Sequence, residues 1–419
     1  MAVNWAHVLT VLVLGLGMSS YDVGTDGLNG FQFLTEHDRF FPSNATIPPH
    51  CVAVGNMSGH YSCRDVVWGI LTIGLIQLPG VVLAVCAAGA LMMFKCKHPD
   101  GWYGTVVSKR MVMSALSLAI IPYPLVVWIF HLYCLCHGPT PQLELMSSVL
   151  LLGEGSLEAA PQLTLQLYII MSNPAMAVTW TQYLAIISAF LSIAKTSIEL
   201  FLSESGEWLD IDDFMKHGHT FHDSLLTNKP FLSKVLLLVK ISPAFLASLF
   251  FKTGTMVISI TLLRQYSAVY IVTGVLATFC VAWGTYDCYF TSTDNKLGYS
   301  VFYSGTNICI LTKCPLNNRR YNYNTIMRVS LVWMIWNSIT LITLMVLYTS
   351  YPHLLWSNTI FSTPAIFYTS ACSVLVLGPV SVFLLWVLRG QIRNIQGEMD
   401  YWNPGRWVIS TSMKSRQGM

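Results

Sequence analysis

The sequence predicts an all-α integral membrane protein of about eight transmembrane helices plus two re-entrant helical elements, arranged as two structural repeats. Three observations carry this. Hydrophobic residues fill 54% of the 419 positions and charged residues only 10%, well below the roughly 25% charge of soluble domains. Apolar runs of spanning length recur from Trp5 to Leu388. The basic residues between those runs collect on alternate loops, as the positive-inside rule requires.

The first run, Trp5–Leu34, holds no Asp, Glu, Lys or Arg from Ala6 to Tyr21 and then carries Asp22 and Asp26. Its length, its lack of a basic start and its polar end fit a retained span better than a signal peptide. A carboxylate at membrane depth costs roughly 2.5–3.5 kcal/mol on insertion scales and is seldom kept without a use. A spacing of four puts both aspartates on one helix face, and Gly24, Gly27 and Gly30 leave bare backbone nearby.

The loop at 35–65 bears two glycosylation sequons, Asn44-Ala-Thr46 and Asn56-Met-Ser58, and two cysteines, Cys51 and Cys63. Together these predict an oxidising, extracytoplasmic face and make Cys51–Cys63 a candidate disulfide. The cysteines Cys86, Cys134, Cys136, Cys280 and Cys372 lie in apolar runs and read as small buried hydrophobes.

Val66–Phe94 is the second span, followed by a loop with Lys95, Lys97, Lys109 and Arg110. Met111–Cys136 carries Pro122-Tyr-Pro124 near its middle. Two prolines there interrupt helix hydrogen bonding, so this run predicts a re-entrant pair of half-helices. Leu145–Met171 and Ala177–Leu202 complete the first half; Phe231–Phe251, Tyr266–Phe290, Met327–Ser350 and Thr369–Leu388 form the second. A weaker run near Tyr299–Leu311 is the second re-entrant candidate.

With Met111–Cys136 re-entrant and the N-terminus cytoplasmic, the basic loops and the tail with Arg389, Arg393, Arg406, Lys414 and Arg416 all fall inside. A straight nine-span path would put that tail outside, against the charge rule. The predicted organisation is an N-terminal repeat, 1–230, whose 35–65 loop is extracytoplasmic and whose 203–230 loop is cytoplasmic. A C-terminal repeat, 231–389, and a cytoplasmic tail, 390–419, follow. Half-inserted segments at matching places in two repeats commonly flank a functional site.

The most distinctive stretch is Gly153-Glu-Gly-Ser-Leu-Glu158-Ala-Ala-Pro161-Gln-Leu-Thr-Leu-Gln166-Leu-Tyr168. Glu154, Glu158, Gln162 and Gln166 form one row at four-residue spacing, with small residues beside them for close packing. The next span adds Lys195 and Glu199. Asp22, Asp26, Glu154, Glu158 and Glu199 thus face one clear cation, so some carry protons or meet water and headgroups. A purely structural ion-pair network is the competing interpretation.

Other features carry less. His217, His219 and His222, with Asp210, Asp212 and Asp213 upstream, read as a solvated loop, and no metal site is expected. Arg264 and Asp287 near helix ends read as snorkelling groups. Asn337 in an apolar span reads as interhelical glue. No phosphate loop or aspartyl-phosphate signature is present, and Ser156 lacks the glycine of a nucleophile elbow, so neither an enzyme nor a cofactor is expected. A net charge of +3 gives no footing for nucleic acid.

Asp22-Val-Gly-Thr-Asp26, the stretch from Glu158 to Ile169, and Ser188-Ala-Phe-Leu-Ser-Ile-Ala194 resemble, in order and position, the XK-related family of membrane proteins. The resemblance implies two repeats, eight spans, two re-entrant helices and cytoplasmic termini. It also implies phospholipid scrambling with exposure of phosphatidylserine, in some members triggered by caspase cleavage. Two departures stand out. The family's arginine after a proline in the sixth helix is replaced by Pro243-Ala244, with Lys240 one turn earlier. The tail segment Gly397-Glu-Met-Asp400-Tyr401 and the loop segment Glu207-Trp-Leu-Asp210-Ile211 place bulky residues after the aspartate of a caspase-like site.

The expected function is therefore ATP-independent phospholipid scrambling at the plasma membrane. The headgroup path comprises Asp22, Asp26, Glu154, Glu158, Gln162, Lys195, Glu199 and Lys240. Carboxylates would serve headgroup amines and lysines the phosphate. The expected partners are membrane phospholipids and a single-span accessory membrane protein. Two alternatives stand beside it: a secondary transporter or channel for a small solute or ion, and a non-transporting membrane subunit.

Overall fold

The computed structural model describes residues 8, 10–35, 37–40, 51–53, 59–63, 65–97, 109–137, 147, 150, 153–172, 178–202, 231–263, 266–286, 323–355 and 359–388. The sequons at Asn44 and Asn56, the 203–230 loop with its histidines, Arg264, Asp287, the Tyr299–Leu311 element and the tail beyond Arg389 lie outside these residues. So do the side chains of Glu199 and Lys240.

Ten α-helices account for nearly all of the described chain. Helix α1 (Met18–Leu34) continues a π-helical segment, Thr10–Gly17. Three short strands follow, β1 (His37–Phe40), β2 (Cys51–Ala53) and β3 (His60–Cys63). Next come α2 (Val66–Lys97), α3 (Lys109–Ser117) and α4 (Tyr123–His137). Helix α5 (Ala160–Ser172) extends a π-helical segment, Glu154–Ala159, and α6 is Trp180–Leu202. The second half holds α7 (Phe231–Leu263), α8 (Ser267–Tyr286), α9 (Tyr323–Ser350) and α10 (Pro364–Val387).

Four stretches among the described residues are long and apolar enough to cross a membrane: Val66–Gly89, Ser242–Leu263, Ser330–Ser350 and Pro364–Val387. Their outward faces stay apolar, with Ile70, Val85, Ile335, Ile342, Val376 and Phe383 exposed, as lipid contact demands. The chain is an integral membrane protein of all-α type.

The loop before α2 holds a small sheet that the sequence reading did not contain. The strands run in the order β1-β3-β2, all antiparallel, with Cys51 directly opposite Cys63. A disulfide joins that pair. Three or four residues per strand are too few to show an alternating pattern, so the register comes from the cross-link and from ladder bonds formed at long range.

Two packed cores organise the helices. One joins Ala159, Ala160 and Leu163 to Ala189 and Ile193 of α6 and Leu249 of α7. The other joins Phe251, Ile258 and Leu262 of α7 to Leu341 and Leu344 of α9 and to Phe367 and Ala371 of α10. Helix α7 contributes to both, and it packs on α5, α6, α8, α9 and α10.

The Met111–Cys136 run is broken, as its prolines require. Helix α3 tightens into a 3₁₀ turn, Leu118–Ile120, and the chain restarts as α4 after Pro122. Backbone groups freed at the break are taken up by Gln77 of α2. Its Nε2 donates to the Ala119 carbonyl (2.9 Å) and to the Ile121 carbonyl (2.8 Å). Its Oε1 accepts from the Tyr123 backbone N–H at 2.9 Å. Buried Tyr123 then donates its hydroxyl to the Leu150 carbonyl at 2.7 Å, tying α4 to the chain before the Glu154 segment.

Candidate functional site

Helix α1 brings the two aspartates into the bundle because its polar residues share one face. Ser19, Asp22, Thr25, Asp26, Asn29 and Phe33 are all buried, at intervals of three and four. That face packs on α2 and α6. Close approach to α2 depends on glycine. A side chain at Gly30 would lie 2.8 Å from Ile73, and one at Gly69 would lie 2.9 Å from the Gly30 carbonyl. Opposite, the Thr25 and Ser188 hydroxyls are hydrogen-bonded at 2.9 Å, fixing α1 against α6.

The Glu154–Ala159 segment enters the same space, packed on α2 and α6. Gly155 permits this, since a side chain there would collide with Thr196. Below it, Gln162 donates to the Thr72 carbonyl at 2.5 Å, and Gln166 donates to the Thr72 hydroxyl at 3.4 Å. These amides lock α5 to α2 and hold the glutamate row in phase. Both carboxylate-bearing helices start as π-helix, a local geometry that recurs at functional sites.

The structure therefore gathers Asp22, Asp26, Glu154, Glu158, Gln162 and Gln166 into one cluster. Glu158 acts electrostatically on Asp22, Glu154 and Asp26, and Asp22 on Glu154 and Lys195. Asp22 is 2% exposed, Asp26 0%, Glu154 5% and Glu158 1%. No hydrogen-bond partner reaches either oxygen of Asp26 or Glu158 among the described residues, and Asp22 has only the Ser188 and Ser192 hydroxyls beside it. Four carboxyl groups beside one described lysine is a costly arrangement in a low-dielectric interior. The predicted groove is not open at these residues; the acids are enclosed in the bundle.

The sequence reading missed several groups here. Ser188 and Ser192 stand beside Asp22, while Asn29 and Ser156 add buried polar atoms without hydrogen-bond partners. His131 of α4 sits against Gly15 and within the field of Lys195. Tyr123 is acted on by Glu154 and Glu158. Serine periodicity on α6 was a usable signal; His131 and Tyr123 had none, because only the folded break in Met111–Cys136 carries them inward. Asn337 does not bridge helices in its one described hydrogen bond; its Nδ2 donates to the Trp333 carbonyl one turn back at 2.9 Å.

Chemically, the cluster offers anionic and amide oxygens with small hydroxyls and one cation. It suits a cationic or zwitterionic organic group or a proton; among the described residues no group of His, Cys, Asp and Glu is placed to hold a metal ion. Comparison with curated proteins gives no match. The family model described as XK-related protein matches residues 50–200, the stretch from the small sheet through α6 that contains Glu154, Glu158, Gln162 and Lys195. This match supports the XK-related family assignment over that stretch.

Proposed function

We propose that the chain is a phospholipid scramblase that moves lipids, phosphatidylserine among them, between leaflets without ATP. The supporting observation is the enclosed set of Asp22, Asp26, Glu154 and Glu158, buried and beyond the need of any single counter-ion. Lipid crosses a bilayer slowly because its polar head must enter hydrocarbon. Carboxylates and the Gln162 and Gln166 amides would solvate the head while acyl chains stay in the bilayer. Asp22, Asp26, Glu154 and Glu158 would bind headgroup amines and Lys195 or Lys240 the phosphate, with Glu199 counted among the path residues. Because the cluster is enclosed, this conformation is the closed one, and lipid passage requires α1 to part from α5 and α6.

In this proposal eight spans and two re-entrant elements form two repeats, with both termini cytoplasmic and the protein in the plasma membrane. Asn44 and Asn56 would carry glycans on the outer face, and a single-span membrane protein would serve as accessory partner. The test is charge removal in the path. Asp22→Asn combined with Asp26→Asn should abolish lipid exchange in liposomes while the protein stays folded; unchanged exchange rejects the role given to these residues.

One observation favours a second reading. A site with aspartates 0–2% exposed accommodates a proton or small cation more readily than a headgroup, which fits a secondary transporter or channel. Flux that depends on membrane potential or a pH gradient, without lipid movement, would establish it.

A further inference from the structure

The π-helical segment Glu154–Ala159 begins where a side chain from another helix enters the ladder. Leu150 and Glu154 are four apart, the spacing that one α-helical hydrogen bond joins. The Leu150 carbonyl accepts the Tyr123 hydroxyl at 2.7 Å, and the Glu154 backbone N–H acts on that same hydroxyl. Gly153 makes room for it, since a Cβ there would lie 3.1 Å from the Tyr123 oxygen. The ring has no freedom to withdraw. Tyr123 is 1% exposed, packs with Leu83, Val127 and Leu150, and its backbone N–H is held by Gln77 at 2.9 Å. Farther along, Gln162 and Gln166 hold α5 to Thr72. The π-helical segment is thus fixed at both ends, and both of its glutamates act on Tyr123.

We infer that Tyr123 is a positioning residue for the acidic cluster: its hydroxyl, wedged at the head of Glu154–Ala159, sets the helical phase that turns Glu154 and Glu158 toward Asp22. A polar group inserted into the ladder re-phases a helix at that place, and π turns recur at functional sites. One residue of phase is about 100° around an α-helix. Without the wedge the segment relaxes to α-helix while the two glutamines keep α5 in place, and the glutamates turn away from α1. The break at Pro122 therefore has a use beyond packing: it delivers one hydroxyl to the start of the acid row. The role rests on the acidic cluster being the path proposed above.

The test is labelling of the full chain in liposomes with dicyclohexylcarbodiimide, a lipid-soluble reagent for carboxyl groups, read residue by residue by mass spectrometry. Tyr123→Phe keeps the ring and removes the hydroxyl. It should raise labelling of Glu154 and Glu158 about tenfold, the shift that loss of one buried hydrogen bond implies, while Asp26 stays as in the wild type. Gly153→Ala pushes a methyl group at the hydroxyl and should raise labelling of the same two residues, so the test survives if Tyr123→Phe does not fold. Labelling of both variants at the wild-type level overturns the inference. So does a rise at Asp26 equal to that at the glutamates, which would mean general loosening. Lipid exchange in the same liposomes should fall in both variants. Shifted labelling with no exchange by any of the three chains, wild type included, would count against the scramblase proposal alone.

Discussion

Asp26→Asn separates a functional acid from a structural one. Asp26 is fully buried, has no hydrogen-bond partner on either oxygen among the described residues, and lies in the field of Asp22. Side chains one helical turn apart are about 6 Å from each other. At an effective dielectric of about 20, two like charges at that distance repel by about 3 kcal/mol. An amide of the same shape removes that repulsion and one buried charge. The variant should therefore be as stable as the wild type, or more stable by up to about 3 kcal/mol. An acid held in a buried ion pair would behave in the opposite sense, because deleting one partner strands the other and costs about 3–5 kcal/mol. Reversible unfolding in mixed micelles, followed by helix signal, reads the difference directly. A destabilisation of about 3 kcal/mol or more would refute the reasoning and make the cluster a structural network.

Further predictions concern the scaffold. Gln77→Leu strands two carbonyls and one N–H at the α3–α4 break; at roughly 1 kcal/mol per bond it should cost about 3 kcal/mol, measured by the same unfolding. Gly155→Leu drives a side chain into Thr196 and should lower stability by about 1–3 kcal/mol through overpacking, visible as a reduced melting temperature. Replacing Cys51 and Cys63 by serine opens the loop that their bond closes; a chain-entropy estimate for so short a loop is about 3 kcal/mol. Peptide mapping without reductant should recover the two cysteines as one linked pair.

The acidic row was legible because membrane helices forbid casual charge: Asp22, Asp26, Glu154 and Glu158 stand out against apolar neighbours at a helical period. The break at Pro122 was equally plain, since proline at that place removes a donor. Its consequences were not. Gln77 reads as an isolated polar residue in α2 until the fold sets it against the broken backbone. Lys252, buried on α7, was missed for another reason. The apolar run was closed at Phe251, whereas α7 continues to Leu263 through Thr253, Thr255, Ser259 and Thr261. Threonine and serine lower local hydropathy yet satisfy their hydroxyls within the helix, as Thr255 does on the Phe251 carbonyl at 2.8 Å. Enclosure of the acids was also beyond sequence reach, because spacing assigns a face but not what covers it.

Lipid exchange between leaflets tests the central claim most directly. The purified chain is placed in liposomes carrying a fluorescent phospholipid, and dithionite bleaches the outer leaflet. Scrambling predicts bleaching well beyond the outer-leaflet half once the bundle opens, with dithionite itself excluded. Bleaching that stops near half, even with the accessory partner and trigger supplied, would contradict it.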